Sequence, residues 1–299
     1  MYNGIINIYK EAGFTSHDVV AKMRGILKQK KIGHTGTLDP AAVGVLPVCL
    51  GSGTKLCDML TDHDKVYEAV LLLGVETDTQ DTTGRVLREG SVDCTEDEVR
   101  RAVMSFVGEY DQIPPMYSAL KVDGKKLYEL AREGKEVDRQ ARKVWIHSIE
   151  ILKVQLPRVT MRVACSKGTY IRTLCHDIGC KLGCGGAMEA LKRVKVGRFE
   201  VQDAITLNEL ELLRDAGQVE EKVIPVDGVF EDLPAVHVKD AFRKLVQNGN
   251  ALMSGHVIEP ELCNGGQVRI YDEENRFYGV YEYVHDRHRL QPVKMFLGE

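Results

Sequence analysis

The sequence predicts an α+β protein: a mixed or antiparallel sheet with flanking helices, followed by a small, mainly β C-terminal module. Apolar residues at helical spacing alternate with apolar runs of strand length, and two strand-like runs joined by a polar turn lie near the C-terminus. With 299 residues, the chain is long enough for one large domain and a smaller one. Its 43% hydrophobic and 28% charged residues are typical of a globular protein.

Side chains that cap helices mark the predicted helix starts. Ser16 precedes apolar residues at helical spacing, and Thr95 and Thr206 are each followed three residues later by glutamate, which is the capping-box pattern. Two further helices are expected, a short one over Leu127–Arg132 and another from about Thr169 to Leu182.

Short runs rich in β-branched residues predict the strands. In the first 200 residues they are Tyr67–Gly74, Lys143–Val154 and Val159–Ser166. Gln267–Tyr271 and Arg276–Val284 follow near the C-terminus.

Charge is divided unevenly along the chain. Residues 153–198 contain ten lysines and arginines and two acids, whereas residues 203–232 contain nine acids and two bases. A cationic middle segment favours a surface for a polyanion, although a solvated charged face is the alternative. We place a domain boundary in the acidic segment, which gives a large domain over 1–230 and a C-terminal module over 231–299.

No targeting pattern is recognised. The N-terminus lacks a basic segment followed by a long apolar one, and no apolar run approaches the roughly 20 residues that span a bilayer, so we expect a cytoplasmic protein. The eight scattered cysteines are expected to be reduced, and the C-x4-C-x3-C spacing after Cys175 lacks the close pairs of a structural zinc site. No metal is predicted.

One acid stands in a segment that suits neither a helix nor a regular strand, GHTGTLDPAAVGVLP at residues 33–47. Pro40 favours extended backbone angles at Asp39, and the surrounding glycines allow turns. Such a loop holds a carboxylate in place while leaving room for a ligand. The alternative is an ordinary Asp-Pro turn.

Four segments together resemble the TruB-type pseudouridine synthases. They are KIGHTGTLDPAAVGVLPVCLGSGTKL, KVYEAVLLLGVETDTQDTTG (65–84), CSKGTYIRTLCHDIG (165–179) and ALKRVKVGRF (190–199). The likeness extends from about residue 2 to at least residue 230. One departure is Glu11 after Lys10, where the family usually has Lys-Pro, and it puts the rigidity of this turn in doubt.

The resemblance implies an isomerase that acts on uridine 55 in the T-loop of tRNA. The N1–C1′ bond breaks, the base turns in place and a C5–C1′ bond forms. Because no group comes from outside, no cofactor is expected. The resemblance assigns Asp39 as the catalytic carboxylate, either as nucleophile or in an elimination path.

The resemblance also assigns residues around the target base. Tyr67 is expected to stack on the base and to take the C5 proton, and Tyr170 is expected to form a second wall. The alternative for each is an ordinary strand or loop tyrosine. Arg172 is expected to pair with Asp39, and a phosphate contact is the alternative. Leu191 is expected against the base, or simply in the core.

His34 and Asp81 complete the predicted site. The resemblance has His34 insert into the RNA and fill the gap left by the flipped base, although a lone histidine in a loop is usually only hydrogen-bonded or solvated. Asp81 is expected to orient other polar groups, or to be a turn residue.

Residues 114–143 form a predicted RNA-binding insertion that is rich in lysine and arginine, with a charged surface hairpin as the alternative. The C-terminal module resembles a PUA-like RNA-binding module only loosely.

We expect the T-stem-loop of tRNA as partner and a monomer without an obligate protein partner. The alternative from another class is a tRNA-folding chaperone that acts independently of catalysis.

Overall fold

The computed structural model describes residues 1–122, 124–263 and 266–297, apart from the side chain of Cys263. Asp123 in the predicted insertion, and residues 264, 265, 298 and 299 in the predicted C-terminal module, lie outside the described residues. The strands of the first 200 residues are β1 (Gly4–Lys10), β2 (Ile32–His34), β3 (Val43–Leu50), β4 (Lys65–Leu73), β5 (Val75–Thr77), β6 (Val86–Glu89), β7 (Gly108–Gln112), β8 (Lys121–Val122), β9 (Lys125–Lys126), β10 (Arg142–Gln155), β11 (Arg158–Cys165), β12 (Gly186–Val196) and β13 (Phe199–Glu200).

The later strands are β14 (Ala235–Val238), β15 (Leu252–Met253), β16 (Gln267–Asp272), β17 (Phe277–Val284) and β18 (Arg289–Met295). The α-helices are α1 (Ser16–Leu27), α2 (Cys57–Thr61), α3 (Glu96–Met104), α4 (Leu127–Arg132), α5 (Ile171–Leu182), α6 (Leu207–Asp215) and α7 (Arg243–Gln247).

A large mixed sheet forms the frame of the first part of the chain. Its strands follow the order β1-β3-β12-β4-β11-β10-β7, with β2 beside β3 and β13 beside β12. The pairing of β12 with β3 is parallel, whereas β12 with β4 and the neighbours beyond it are antiparallel. Strand β12 therefore lies in the middle of the sheet, between the strand that follows the Asp39 loop and the strand that carries Tyr67.

Alternation along β4 decides which face of the sheet is covered. Lys65, Tyr67, Ala69, Leu71 and Leu73 are buried, and the residues between them are partly exposed. The buried side packs against α3 and α5 in one hydrophobic cluster. A second cluster joins α1 and α6 to β1 and β3.

The capping boxes predicted for α3 and α6 are present. The hydroxyls of Thr95 and Thr206 accept from the backbone N–H groups of Glu98 and Glu209, respectively. The cap of α1 is one residue earlier than predicted, because Thr15 accepts from the backbone N–H of Asp18. Ser16 is instead buried, and its hydroxyl oxygen accepts from the backbone N–H of Leu38 beside Asp39.

The C-terminal part is a five-stranded sheet in the order β14-β16-β17-β18-β15 with its own hydrophobic cluster. It joins the large sheet through a cluster in which Phe277 and Phe296 pack with Ile5 and Val226. Across the described residues, no helix is both long enough and apolar enough to cross a membrane.

Candidate active site

Backbone and side-chain hydrogen bonds hold the loop that carries Asp39. The hydroxyl of Thr35 donates to the Pro47 carbonyl at 3.3 Å, and the buried Lys10 ammonium donates to the Pro40 carbonyl at 3.2 Å. Gly36, at φ 125°, adopts a conformation that other residues rarely reach. The side chain of Asp39 is 37% exposed. The loop therefore fixes a carboxylate and leaves it accessible.

Arg172, in the first turn of α5, holds this carboxylate. Its Nε lies 2.9 Å from Asp39 Oδ2, and its Nη2 donates to Oδ1 at 3.3 Å. Its two Nη atoms also donate to the carbonyls of Thr79 and Tyr117 at 2.9 and 2.7 Å. The expected pairing of Arg172 with Asp39 is thus present. Because Arg172 is 5% exposed and has an acceptor on each side, its guanidinium has one orientation available.

Asp81 lies behind this pair. Its Oδ2 is 3.9 Å from Arg172 Nε, and its Oδ1 accepts from both the amide and the hydroxyl of Thr83. The carboxylate is therefore fixed by its own turn and adds negative charge on the protein side of Arg172. This arrangement fits the expected orienting role, which stays a prediction.

Tyr67 and Leu191 form an apolar wall next to the carboxylate. Tyr67 lies on β4 and Leu191 on β12, each is 9% exposed, and both belong to the same hydrophobic cluster as Leu38 of the Asp39 loop. Burial raises the pKa of the Tyr67 hydroxyl, with the charge of Arg193 opposing this effect. An apolar surface with a phenol at its edge suits stacking on a planar base.

Comparison with known proteins identifies the family of this site. The family model described as "TruB family pseudouridylate synthase (N terminal domain)" matches residues 24–171, and TruB C-terminal models match 172–231 and 234–296. The chain is 54% identical to the tRNA pseudouridine synthase B of Lachnoclostridium phytofermentans over 99% of this chain and 100% of that protein. The chain belongs to the TruB family of pseudouridine synthases.

Further relatives agree with the TruB assignment. The tRNA pseudouridine synthase B of Alkaliphilus oremlandii is 51% identical over 98% of this chain and 97% of its own length. A solved structure described as an H/ACA RNP bound to a substrate RNA containing 2′-deoxyuridine covers 98% of this chain and 84% of its own, with a TM-score of 0.71 and 27% identity. A Cbf5-Nop10-Gar1 complex also matches, with a TM-score of 0.71 and 28% identity over 99% of this chain and 85% of its own. These findings confirm the α+β fold class, the family and the enzyme class predicted from the sequence.

In this TruB chain, Tyr170 lies at the N-terminus of α5, two residues before Arg172. The side-chain amide of Gln112 makes two hydrogen bonds to the backbone of Tyr170. It accepts from the Tyr170 N–H at 2.8 Å and donates to the Tyr170 carbonyl at 3.0 Å. The ring is half-buried, and burial raises the pKa of its hydroxyl. The structure thus brings Tyr170 close to the Asp39–Arg172 pair, and its role as a second wall stays a prediction.

His34 ends β2 and is half-buried. Its Nδ1 is 3.1 Å from the Gly36 carbonyl, and its ring meets that of His17 edge-on at 5.1 Å. Burial, and then the neighbouring His17, lower the pKa of His34. A ring kept neutral by its surroundings loses less hydration than a charged one on stacking, which suits the predicted insertion into RNA.

The insertion over 114–143 is a small unit with its own apolar centre, made by Met116, Leu127 and Leu130. It contains β8, β9 and α4, and six of its bases are exposed: Lys121, Lys125, Arg132, Lys135, Arg142 and Lys143. It starts next to the active site, since the Tyr117 carbonyl is one of the acceptors of Arg172. A movement of this unit would therefore displace the Tyr117 carbonyl from Arg172.

Three buried cations near the site are not among the functional candidates that the sequence predicts. Lys10, Lys65 and Arg193 are 0%, 7% and 1% exposed. Burial lowers the pKa of Lys10 and of Lys65 to about 8 each. The available signal was a base within or at the end of an apolar strand segment, as in IINIYK, KVYEAV and ALKRV.

Lys10 also stabilises the N-terminal turn, in which Glu11 stands where the family usually has proline. Its ammonium donates to the carbonyls of Glu11, Phe14 and Pro40 at 3.1, 2.6 and 3.2 Å. These bonds tie the N-terminal turn to the Asp39 loop without a proline.

Among the described residues, the structure contains no group of three or more histidine, cysteine or acidic side chains able to hold a metal ion. The seven cysteines whose side chains are described are free thiols.

Proposed function

We propose that the chain isomerises uridine 55 in the T-loop of tRNA to pseudouridine, with Asp39 as the catalytic carboxylate. One observation supports this above all: Asp39 is fixed by a 2.9 Å contact to the buried Arg172, while its side chain remains 37% exposed. The relatives at 54% and 51% identity, named tRNA pseudouridine synthase B, support tRNA as the substrate.

The chemistry needs a positioned carboxylate and a closed apolar surface. Once uridine has been flipped from the RNA, Asp39 acts at the ribose and the N1–C1′ bond breaks. The detached uracil turns between Tyr67 and Leu191, and C5 bonds to C1′. C5 then gives up its proton, and N1 takes one up. The product has the atoms of the substrate, so the reaction consumes no second substrate. The protein supplies positioning, charge and proton transfer, and on the nucleophilic path also a transient bond to Asp39.

Arg172 would orient the Asp39 carboxylate, because its Nε and Nη2 each contact one of the two carboxylate oxygens. Asp81 would hold Arg172 in place from behind. His34 would enter the RNA where the uridine leaves, and Tyr170 would close the pocket.

The direct test replaces the carboxylate. Asp39→Asn should abolish pseudouridine formation on unmodified tRNA and leave the Kd for tRNA within about three-fold, because the amide keeps the shape and loses the reactive charge. Asp215→Asn, at an exposed carboxylate on the last residue of α6, is the matched control and should behave as wild type.

The same pair of variants tests the chaperone alternative. A protein that acts only by refolding tRNA would keep its effect on tRNA folding in Asp39→Asn and would form no pseudouridine in any variant. Pseudouridine formed by Asp39→Asn at the wild-type rate would contradict the assignment of Asp39.

We also propose that the enzyme acts as a cytoplasmic monomer, with residues 1–230 as catalytic domain and 231–299 as an RNA-binding module. The separate cluster beneath the C-terminal sheet supports this division. Sedimentation at micromolar concentration, with and without tRNA, tests the monomer.

A further inference from the structure

Arg193 is a buried arginine in the middle of the large sheet. Strand β12 places it opposite Gly44 of β3 on one side and opposite Tyr67 of β4 on the other. It is 1% exposed, and no acidic side chain among the described residues forms an ion pair with it. A guanidinium this deep without a carboxylate is unusual, because removing an unpaired charge from water is costly.

Two of its nitrogens hold the segment that carries Asp39. Nε donates to the Val45 carbonyl at 2.8 Å, and Nη1 donates to the Thr37 carbonyl at 3.3 Å. Thr37 lies two residues before Asp39. Gly44 makes this possible, since a side chain there would collide with the backbone of Arg193. Arg193 thus connects the loop of the carboxylate to the strand of the tyrosine.

The third nitrogen makes no hydrogen bond of ordinary geometry in the resting protein. Nη2 of Arg193 is buried and has no acceptor within hydrogen-bond distance among the described residues, although a side-chain interaction with Arg193 lowers the pKa of Tyr67. A buried donor without a partner destabilises the folded state by roughly 1–3 kcal/mol, and more when the group is charged. Lys10 and Lys65 are close enough for Arg193 to lower the pKa of each further, after the larger effect of burial. Of these three cations, Arg193 is the one that lowers the pKa of Tyr67, and the Asp39 carboxylate has the opposite effect.

We propose that Arg193 is a positioning residue that stabilises the Tyr67 oxygen as a phenolate, through Nη2, while that oxygen accepts the C5 proton. This inference rests on the proposed function. After the C5–C1′ bond has formed, the phenolate takes the proton from C5. The electron pair of the C5–H bond becomes the C5–C6 double bond, the pair of the C6–N1 double bond moves to N1, and N1 takes a proton from water. The tyrosine is left as the neutral phenol and returns its proton to solvent before the next cycle.

The opposing effects on Tyr67 agree with this role. Burial alone would keep the phenol protonated, and the charge of Arg193 acts against that. Without Arg193, the phenolate would face a dry apolar surface and would form less often.

The experiment is a double-mutant cycle between Arg193→Gln and Tyr67→Phe, read by single-turnover pseudouridine formation with 5-¹H and 5-²H uridine. Arg193→Gln alone should slow the reaction about 100-fold, within the range for acid–base catalysis, and should enlarge the ratio of the ¹H to the ²H rate. In the Tyr67→Phe background the same substitution should cost no more than about three-fold, because the hydroxyl through which it acts is gone.

Equal losses in both backgrounds, with an unchanged isotope ratio, would overturn the proposal and leave Arg193 only as an anchor of the Asp39 loop. Arg100→Gln, at an exposed arginine of α3 that pairs with Glu96, is the control and should match wild type. If Arg193→Gln is unfolded by circular dichroism, Arg193→Lys decides in the same cycle. Lysine keeps the positive charge but lacks the second guanidinium nitrogen. The decrease in rate caused by Arg193→Lys should also be smaller in the Tyr67→Phe background.

Failure of this inference is distinguishable from failure of the proposed function. A wild-type enzyme that forms pseudouridine but gives an additive cycle refutes only the role of Arg193. A wild-type enzyme that forms no pseudouridine refutes the function itself.

Discussion

At the residue scale, the site is built from charges that the fold removes from water. Arg172 offsets this loss with four acceptors, two of them on Asp39, and Lys10 does so with three carbonyls. Arg193 has two carbonyls and one unused nitrogen. This difference in the number of acceptors indicates that Arg172 and Lys10 mainly hold the Asp39 loop in position, whereas Arg193 retains a donor for the reaction.

Lys10 gives a prediction about pH and stability. Its pKa is about 8 in the folded protein, below its ordinary 10.5, because burial disfavours the ammonium. Between these two values the unfolded chain binds a proton that the folded protein has released, so this lysine makes the free energy of unfolding rise with pH.

The comparison with Lys10→Met isolates this contribution from other groups. The wild-type free energy of unfolding minus that of the variant should be constant below about pH 8 and should increase from there to about pH 10.5, as measured by urea titration at several pH values. A difference that stays flat or decreases across this window would contradict the buried, weakly basic lysine.

At the scale of elements, the insertion over 114–143 gives a prediction about RNA affinity. Lys121 and Lys125 lie on its paired strands β8 and β9 and are exposed. If they contact phosphate, replacing both with glutamine should weaken tRNA binding and reduce the slope of log K against log salt concentration by about one to two, because fewer counterions are released.

Lys222→Gln is the matched control, since Lys222 is an exposed lysine in the acidic segment. Filter binding at several salt concentrations measures all the variants. A double variant with the wild-type slope would leave the insertion as a charged surface hairpin.

The predicted and observed strands show which elements can be recognised from the sequence. Strands such as β4, β10 and β11 were predicted within two residues of their observed ends because alternation or β-branched runs are visible locally. Strand β12 was missed as a strand, since Lys192, Arg193 and Lys195 interrupt its apolar residues. Its burial comes from β3 and β4 on either side, which no local window contains.

Some site residues can likewise be predicted from the sequence, whereas others are recognised only in the structure. Asp39 stands out because Pro40 and the glycines around it are readable in the sequence, and the resemblance named its partners. Ser16 was predicted as a cap and instead holds the backbone of Leu38 from 22 residues away. The unused donor of Arg193 depends on three strands at once, and therefore only the three-dimensional arrangement reveals it.

At the scale of the whole molecule, two sheets are joined by one apolar cluster. Phe277 and Phe296 from the C-terminal sheet pack with Ile5 of β1, and Lys55 donates to the Met295 carbonyl at 3.2 Å. The active site, by contrast, draws on the loop before β3, on β4, on β12 and on α5 of the first part of the chain. This arrangement predicts that catalysis needs no second protein or guide RNA.

The most direct measurement is therefore pseudouridine formation by the purified protein alone on an unmodified T-stem-loop RNA, with the product mapped to single nucleotides. We predict conversion of one uridine, the flipped one at position 55, by the wild-type protein and none by Asp39→Asn. No product from the wild-type protein, or product at other uridines with position 55 unchanged, would contradict it.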